Sequence, residues 1–119
     1  SVKQPVEGLI LSNSLRPAIV GMARSLAGEI APYGITINVL APGYHETNAM
    51  KRLFKRKADI SGVSESEARE MFVGETGMKN MGNPADLAKL ATWLLSESSS
   101  FVTGQVISIA GNQVKGIFG

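Results

Sequence analysis

The residues best placed to do chemistry lie in one short run, Pro42-Gly43-Tyr44-His45-Glu46-Thr47. It follows a β-branched stretch that reads as a strand. In an open α/β sheet, ligands bind beyond the carboxyl ends of the strands, and a glycine there lets a ligand approach the backbone. Thr47, four residues past Gly43, can offer a hydroxyl and a backbone donor to the same ligand. The plainer reading of the run is a strand-to-helix turn. His45 and Glu46 carry groups suited to acid–base work, yet the sequence pairs them with no third group. A second candidate is Met50-Lys51-Arg52-Leu53-Phe54-Lys55-Arg56-Lys57, with five basic residues. Leu53 and Phe54 can anchor it while the cations meet an acidic partner, an anionic substrate or a nucleic-acid backbone. The plainer reading there is a solvated helix face. Tyr33 sits in the turn after a long helix, remote from Pro42-Gly43, and reads as structural.

The elements that must position these residues follow from periodicity. Leu15, Ile19, Met22, Leu26 and Ile30 recur at steps of three and four, which predicts a helix over residues 11–31. Ala18, Ala23 and Ala27 widen its apolar stripe, so it is expected to pack on more than one side. Pro17 should kink this helix or sit in its first turn. Pro32-Tyr33-Gly34 ends it. Residues 35–41, Ile-Thr-Ile-Asn-Val-Leu-Ala, are apolar on both faces and read as a buried strand stopped by Pro42-Gly43. A short basic helix is predicted over 49–59. Ser64 and Glu67 form a capping-box pattern that opens another. Gly62 and Gly74 bracket that helix, so the region can move as a lid or stand as a surface insertion. Gly74, Gly77 and Gly82 make the next stretch loop-like. Asn83-Pro84-Ala85-Asp86 opens a helix that ends near Ser96. Residues 104–110 form a second strand, closed by Gly111.

Two strands joined through helices should run parallel with a right-handed crossover. Two parallel strands alone leave both edges open, and a long two-sided helix needs a broad sheet to cover. The expected architecture is therefore α/β, with residues 1–119 as the C-terminal part of one larger doubly wound domain. Dependence on other copies of the chain is the other way to cover those surfaces, and a free-standing two-stranded domain is the remaining alternative.

Composition excludes several classes. The chain has 119 residues, room for one small domain, with 44 % apolar and 18 % charged residues, an ordinary globular balance. A net charge of +2 argues for no nucleic-acid partner. With no cysteine and one histidine, thiolate zinc sites, disulfides and His-rich metal sites are ruled out, so no metal is expected. No apolar run approaches the ~18 residues of a membrane span, and no signal peptide opens the sequence. A cytoplasmic location is the default expectation.

Three stretches in order resemble the C-terminal half of the short-chain dehydrogenase/reductase family. Residues 24–43, from Arg24-Ser25-Leu26 to Leu40-Ala41-Pro42-Gly43, look like that family's catalytic helix running into its sixth strand. Gly82-Asn83-Pro84-Ala85-Asp86-Leu87-Ala88 is similar to its last long helix start, and Val102-Thr103-Gly104-Gln105-Val106-Ile107 to its final strand. The nearest likeness is to 3-oxoacyl-acyl-carrier-protein reductase-like members. The resemblance implies a Rossmann-like fold, a tetrameric homo-oligomer, and hydride transfer between NAD or NADP and a carbonyl or hydroxyl substrate. It implies that Pro42, Gly43, Tyr44 and Thr47 lie against the nicotinamide, with Thr47 near its carboxamide. Residues 48–77 then match the variable substrate loop, with the basic run on the lid, where an acidic carrier protein would give it a use.

The sequence departs from that family in two ways. The family's glycine-rich phosphate loop, first strands and catalytic serine would precede Ser1, and no G-x-x-x-G-x-G occurs in the chain. These residues alone are expected to bind a dinucleotide poorly and to be inactive. The family's Y-x-x-x-K pair falls on Ser12 and Arg16. A serine hydroxyl is a far poorer acid than a phenol, and arginine stays charged, relaying no proton while still able to hold ribose hydroxyls. Three functions follow: a nicotinamide-dependent reductase with altered proton transfer, a non-catalytic relative kept for binding or assembly, and a basic partner-binding module.

Overall fold

A computed structural model of the chain describes residues 1–117. The first helix, α1, spans Ile10–Ile30 without a side-chain cap. Asn13 holds its approach instead, donating to the Val6 carbonyl at 2.8 Å and accepting from the Val6 N–H at 3.0 Å. Pro17 lies inside the helix, past the first turn. It removes the amide that would bond the Asn13 carbonyl, a cost tolerated on an exposed stretch. After a 3₁₀ turn over Ala31–Tyr33, Gly34 adopts φ 72° and releases the chain. Tyr33 is exposed and packs no core.

Strands β1 (Val39–Pro42) and β2 (Val106–Ile109) pair in parallel, with Val39 opposite Val106 and Pro42 opposite Ile109. Both are shorter than their sequence patterns. At the start of β1, Gly104 N–H bonds Ile37 O at 2.7 Å and Val39 N–H bonds Gln105 O at 2.8 Å, and side chains add to this pairing. Thr103 Oγ1 accepts from Ile37 N–H at 3.1 Å, and Asn38 accepts from Gln105 N–H at 3.1 Å and donates to Val102 O at 2.8 Å. At the other end Pro42 does not stop the pairing. It takes a ladder position that needs no donor, and Gly43 N–H resumes the bonding to Ile109 O at 2.9 Å. The strands are half-buried, not enclosed on both faces.

Between the strands come three helices. Thr47 caps α2 (Asn48–Ser61), and Gly62 ends it at φ 65°. Ser64 and Glu67 form the expected capping box on α3 (Glu65–Thr76). Gly74 lies within α3, so Gly62 and Gly77 bracket that helix, not Gly62 and Gly74. Gly74 meets nothing where a side chain would be, and the α3 ladder carries it through to the left-handed turn at Gly77. Asn83 caps α4 (Pro84–Leu94) by accepting from Ala85 N–H at 2.9 Å.

The buried core lies mainly between α2 and α3. Met50, Phe54 and Ala58, one turn apart on α2, pack with Ala68 and Val73 of α3 and with Met81. Helix α1 buries only Ala23 and Ala27, and its larger residues Leu15, Ile19 and Met22 stay more than half exposed. Ala27 Cβ lies 3.5 Å from where a Cβ on Gly104 would sit, so the end of α1 flanks the start of β2. Gln4 reaches Gln113 beyond the end of β2. Helix α1 thus runs antiparallel to the strands, and its first turns lie toward their carboxyl ends.

Candidate functional site at the strand ends

The run after β1 is built by close backbone approach. A Cβ on Gly43 would sit 2.7 Å from Ala110 Cα and 2.0 Å from Gln113 Oε1. Only glycine fits here, and the neighbour it admits is the chain's own loop after β2. Gln113 Oε1 then accepts from Tyr44 N–H at 3.0 Å. The Gly82 N–H bonds Tyr44 O, and Glu46 N–H bonds Gly82 O, each at 2.9 Å. Tyr44 to Glu46 is thereby stitched to the segment before α4.

Tyr44 and Glu46 bind this run to α3. The Tyr44 hydroxyl donates to Glu75 at 2.9 Å, and its ring meets Phe72 edge-on at 5.1 Å. Partial burial, with the Glu75 carboxylate beside it, pushes the Tyr44 pKa up to about 12. Glu46 is held by the Arg69 guanidinium, which also pairs with Glu70. Thr76, at the end of α3, accepts on its carbonyl from Asn112 N–H at 2.6 Å. The end of α3, the run after β1 and the turn after β2 therefore meet at one junction.

Neither His45 nor Glu46 is arranged for acid–base work. Glu46 is committed to Arg69. The His45 ring is buried, with Nδ1 3.1 Å from Gly43 O, where it serves as the donor. That leaves Nε2 as an acceptor, enclosed and without a partner among the described residues. The ring occupies the space that a Cβ on Gly82 would need, 2.6 Å from its Cδ2. Beside this junction opens a cleft of about 750 Å³, lined by Tyr44, His45, Thr76, Met81, Gly82 and Ala110 among others.

The sequence-derived residues fall into two groups. Pro42, Gly43, Tyr44 and Thr47 are contiguous at the end of β1. Thr47 Oγ1 accepts from Met50 N–H at 3.3 Å as the α2 cap, so its own proton remains free to donate outward from an exposed position. Ser12 and Arg16 lie one turn apart on α1. Ser12 Oγ is 3.0 Å from Ser1 Oγ. No hydrogen bond or ion pair among the described residues joins these two to residues 42–47. Sequence reasoning missed Glu75, Arg69 and Gln113, which hold the run in place. Their contacts span from 23 to 69 residues and leave no local signature.

As a nicotinamide site the residues present fit in part. Thr47 offers a free donor beside a glycine-containing turn, while the sequence contains no phosphate-binding glycine loop. Among the described residues, no helix is long and apolar enough to cross a membrane.

Comparison with known proteins identifies the fold. A family model described as Enoyl-(Acyl carrier protein) reductase matches residues 6–111. The NADPH-dependent reductase BacG of Bacillus subtilis is 29 % identical over 97 % of this chain, which spans 44 % of BacG. The 3-oxoacyl-[acyl-carrier-protein] reductase FabG of Aquifex aeolicus is 28 % identical over 87 % of the chain, which spans 38 % of FabG. The crystal structure of YwfH, an NADPH-dependent reductase involved in bacilysin biosynthesis, superposes with a TM-score of 0.89 at 27 % identity, covering 98 % of this chain and 45 % of YwfH. The chain thus spans less than half the length of these relatives, and its α/β architecture is part of their doubly wound, Rossmann-like domain. Together these matches place the chain in the short-chain dehydrogenase/reductase family, among members resembling 3-oxoacyl-acyl-carrier-protein reductases.

Proposed function

We propose that the protein carrying this chain is an NAD(P)-dependent oxidoreductase that moves a hydride between a nicotinamide and a carbonyl or hydroxyl group of a small or acyl substrate. The observation that carries this reading is the turn after β1. There Thr47 caps α2 with its oxygen and keeps its proton for a ligand, at the strand end where this fold takes its ligands. BacG and YwfH, both NADPH-dependent reductases, and FabG support it by likeness.

NAD or NADP, when bound, supplies or takes the hydride. The remaining roles belong to the chain. Thr47 donates to the carboxamide. Pro42, Gly43 and Tyr44 would border the nicotinamide through the turn they form. Arg16 holds ribose hydroxyls through guanidinium donors that never lose their charge. Ser12, on the same helix face, positions the reacting oxygen by a hydrogen bond. As an alcohol it is a weak proton source, so the proton step is slower than a phenol would give. Residues 48–77 cover the substrate and exclude water. An acidic carrier protein presents the acyl substrate, the assembly is a homo-oligomer, tetrameric by family habit, and the protein works in the cytoplasm. Residues 1–119 by themselves turn over nothing, because they include no phosphate loop.

Ser12 and Arg16, in place of the family's phenol and amine, favour a second reading, a non-catalytic relative that keeps the fold for binding or assembly. Calorimetric titration of the protein, as its source makes it, with NADPH and NADH tests both. The expected result is binding of at least one, weakened by Thr47→Ala and kept by Thr47→Ser, followed by turnover of a carbonyl panel that Arg16→Ala abolishes. Failure of both cofactors to bind overturns the proposal. Binding without turnover of any carbonyl leaves the second reading.

A further inference from the structure

We infer that Tyr44 is the proton donor of the proposed reaction, giving its phenolic proton to the substrate oxygen that Ser12 only positions. The inference rests on the proposed function and names the group that completes its proton step.

A carbonyl that accepts a hydride develops negative charge on oxygen, and a side chain within hydrogen-bond reach must supply a proton there. The groups at the strand ends narrow the choice. Ser12 and Thr47 are alcohols, and Arg16 never releases its proton. Glu46 is a carboxylate held by Arg69. His45 donates its Nδ1 proton to Gly43 O, and its Nε2 is enclosed. Lys79 and Asp86 stand on the same cleft as Tyr44. Asp86 is paired with Lys89, and Lys79 is exposed on a long stem that no ion pair among the described residues fixes.

Tyr44 differs from all of these. A phenol is a far stronger acid than an alcohol and still carries its proton at neutral pH. Three contacts fix this one. Gln113 accepts from its backbone N–H at 3.0 Å, Phe72 meets its ring edge-on, and its hydroxyl is 2.9 Å from Glu75. It follows Pro42-Gly43 directly and precedes Thr47, which the proposed function assigns to the carboxamide. It also lines the cleft of about 750 Å³, so a substrate has room beside it. Tyr33, the other tyrosine of the chain, lies ahead of β1, at the opposite end of that strand.

A reduced nicotinamide supplies the hydride to the carbonyl carbon, and the C=O π pair moves onto oxygen. The Tyr44 O–H bond breaks, its electron pair stays on the phenolate, and its proton bonds the substrate oxygen to give the alcohol. Tyr44 is half-buried, so water can return a proton to the phenolate. Burial and the Glu75 carboxylate make that phenolate costly, which pushes the phenol pKa up to about 12. An alkoxide is a stronger base still, so the transfer runs downhill. The reverse reaction needs Tyr44 as phenolate, which is scarce at neutral pH, so the site favours reduction over alcohol oxidation.

The first test reads Tyr44 itself, in the protein as its source encodes it, isotope-labelled at the phenolic carbon of tyrosine. NMR follows ionisation from about pH 8 to about pH 12 with NADPH and then with NADP, and Tyr44→Phe assigns the signal. The midpoint should be lower with NADP by about half a unit or more, because the oxidised nicotinamide adds a positive charge beside a phenol at the reacting centre. The second test is turnover of a carbonyl panel. Tyr44→Phe keeps the ring against Phe72, so its circular dichroism should match the parent. Its kcat should fall about 100-fold or more, with KM and cofactor affinity within about threefold. Glu75→Gln should lower the Tyr44 midpoint by contact alone. It should also extend alcohol oxidation to lower pH, which follows only if Tyr44 handles the proton. If Tyr44→Phe does not fold, the shift in Glu75→Gln assigns the signal and the cofactor comparison still decides. A midpoint that is the same with both cofactors overturns the inference, as does a Tyr44→Phe kcat within about threefold of the parent. If neither cofactor binds, or none of the carbonyls turns over, the proposed function and this role fall together. If binding and turnover stand and either overturning result is found, this role falls alone.

Discussion

Gly43→Ala tests whether the turn after β1 is set by backbone approach. The new Cβ would meet Gln113 Oε1 at 2.0 Å and Ala110 Cα and Cβ at 2.7 Å. Gln113 can swing aside, because the clashing atom ends a flexible side chain. The swing leaves the Tyr44 N–H without its 3.0 Å acceptor, at a cost of about 1 kcal/mol. Ala110 cannot swing aside, since its backbone follows β2 directly. The strand ends must part, and overpacking of this kind costs about 1–3 kcal/mol. The substitution should therefore lose about 2–4 kcal/mol in urea unfolding followed by circular dichroism. Gln113→Ala alone should lose only about 1 kcal/mol. The double variant should remain close to Gly43→Ala, because the Ala110 obstacle persists. If Gly43→Ala stays within about 0.5 kcal/mol of the parent, or if removing Gln113 restores full stability, the geometry argued for this turn is wrong.

Three further outcomes follow from the same contacts. Ser64→Ala breaks the capping box of α3 and should cost about 1 kcal/mol in the same urea assay, with Ser64→Asp recovering most of it. The folded-state pKa of Tyr44, about 12, lies above its ordinary 10.0, so its contribution to stability is complete below pH 10 and lost as pH rises through 12. The ring is partly exposed, which limits the effect to about 1 kcal/mol, read as the difference in alkaline unfolding between the parent and Tyr44→Phe. Glu46→Gln removes an exposed ion pair to Arg69 and should change stability by less than about 1 kcal/mol, with the difference vanishing at high salt.

Local chemistry made the helix boundaries readable. Asn83-Pro84, Ser64 with Glu67 and Pro32-Tyr33-Gly34 each satisfy or terminate a helix through neighbours in sequence, and each lies where its pattern placed it. The strand limits were not readable. Where β1 begins, side-chain bonds between Thr103 and Ile37 and between Asn38 and Gln105 stand beside the backbone bonds, and a β-branched run cannot show that. Gly74 misled for a related reason, since a glycine that costs a helix some stability still fits one held by its neighbours. Within the candidate site, Pro42, Gly43, Tyr44 and Thr47 were legible because they are contiguous. Of the two apolar residues expected to anchor the basic helix, only Phe54 is buried, because only its side faces α3. The apolar stripe of α1 was legible as a pattern, while what it packs against was not.

The parallel pairing of β1 with β2 has a kinetic consequence. Val39 and Val106 are neighbours in space but more than sixty residues apart along the chain, with three helices between them. For a flexible chain, closing a loop of that length costs about 4 kcal/mol in entropy before any ladder bond repays it. The α2–α3 hairpin pays almost none of this, since its partners are separated by a three-residue connection, Gly62-Val63-Ser64, that ends in a capping box. Once formed, it doubles the chain back on itself and shortens the effective loop that the strands must close. The order of events should then be helical hairpin first and sheet second, with the turn at Pro42-Gly43 completed only when β2 arrives. In pulsed hydrogen exchange, the amides of α2 and α3 should gain protection ahead of Val39, Gly43 and Tyr44, whose acceptors all lie on the far side of that closure.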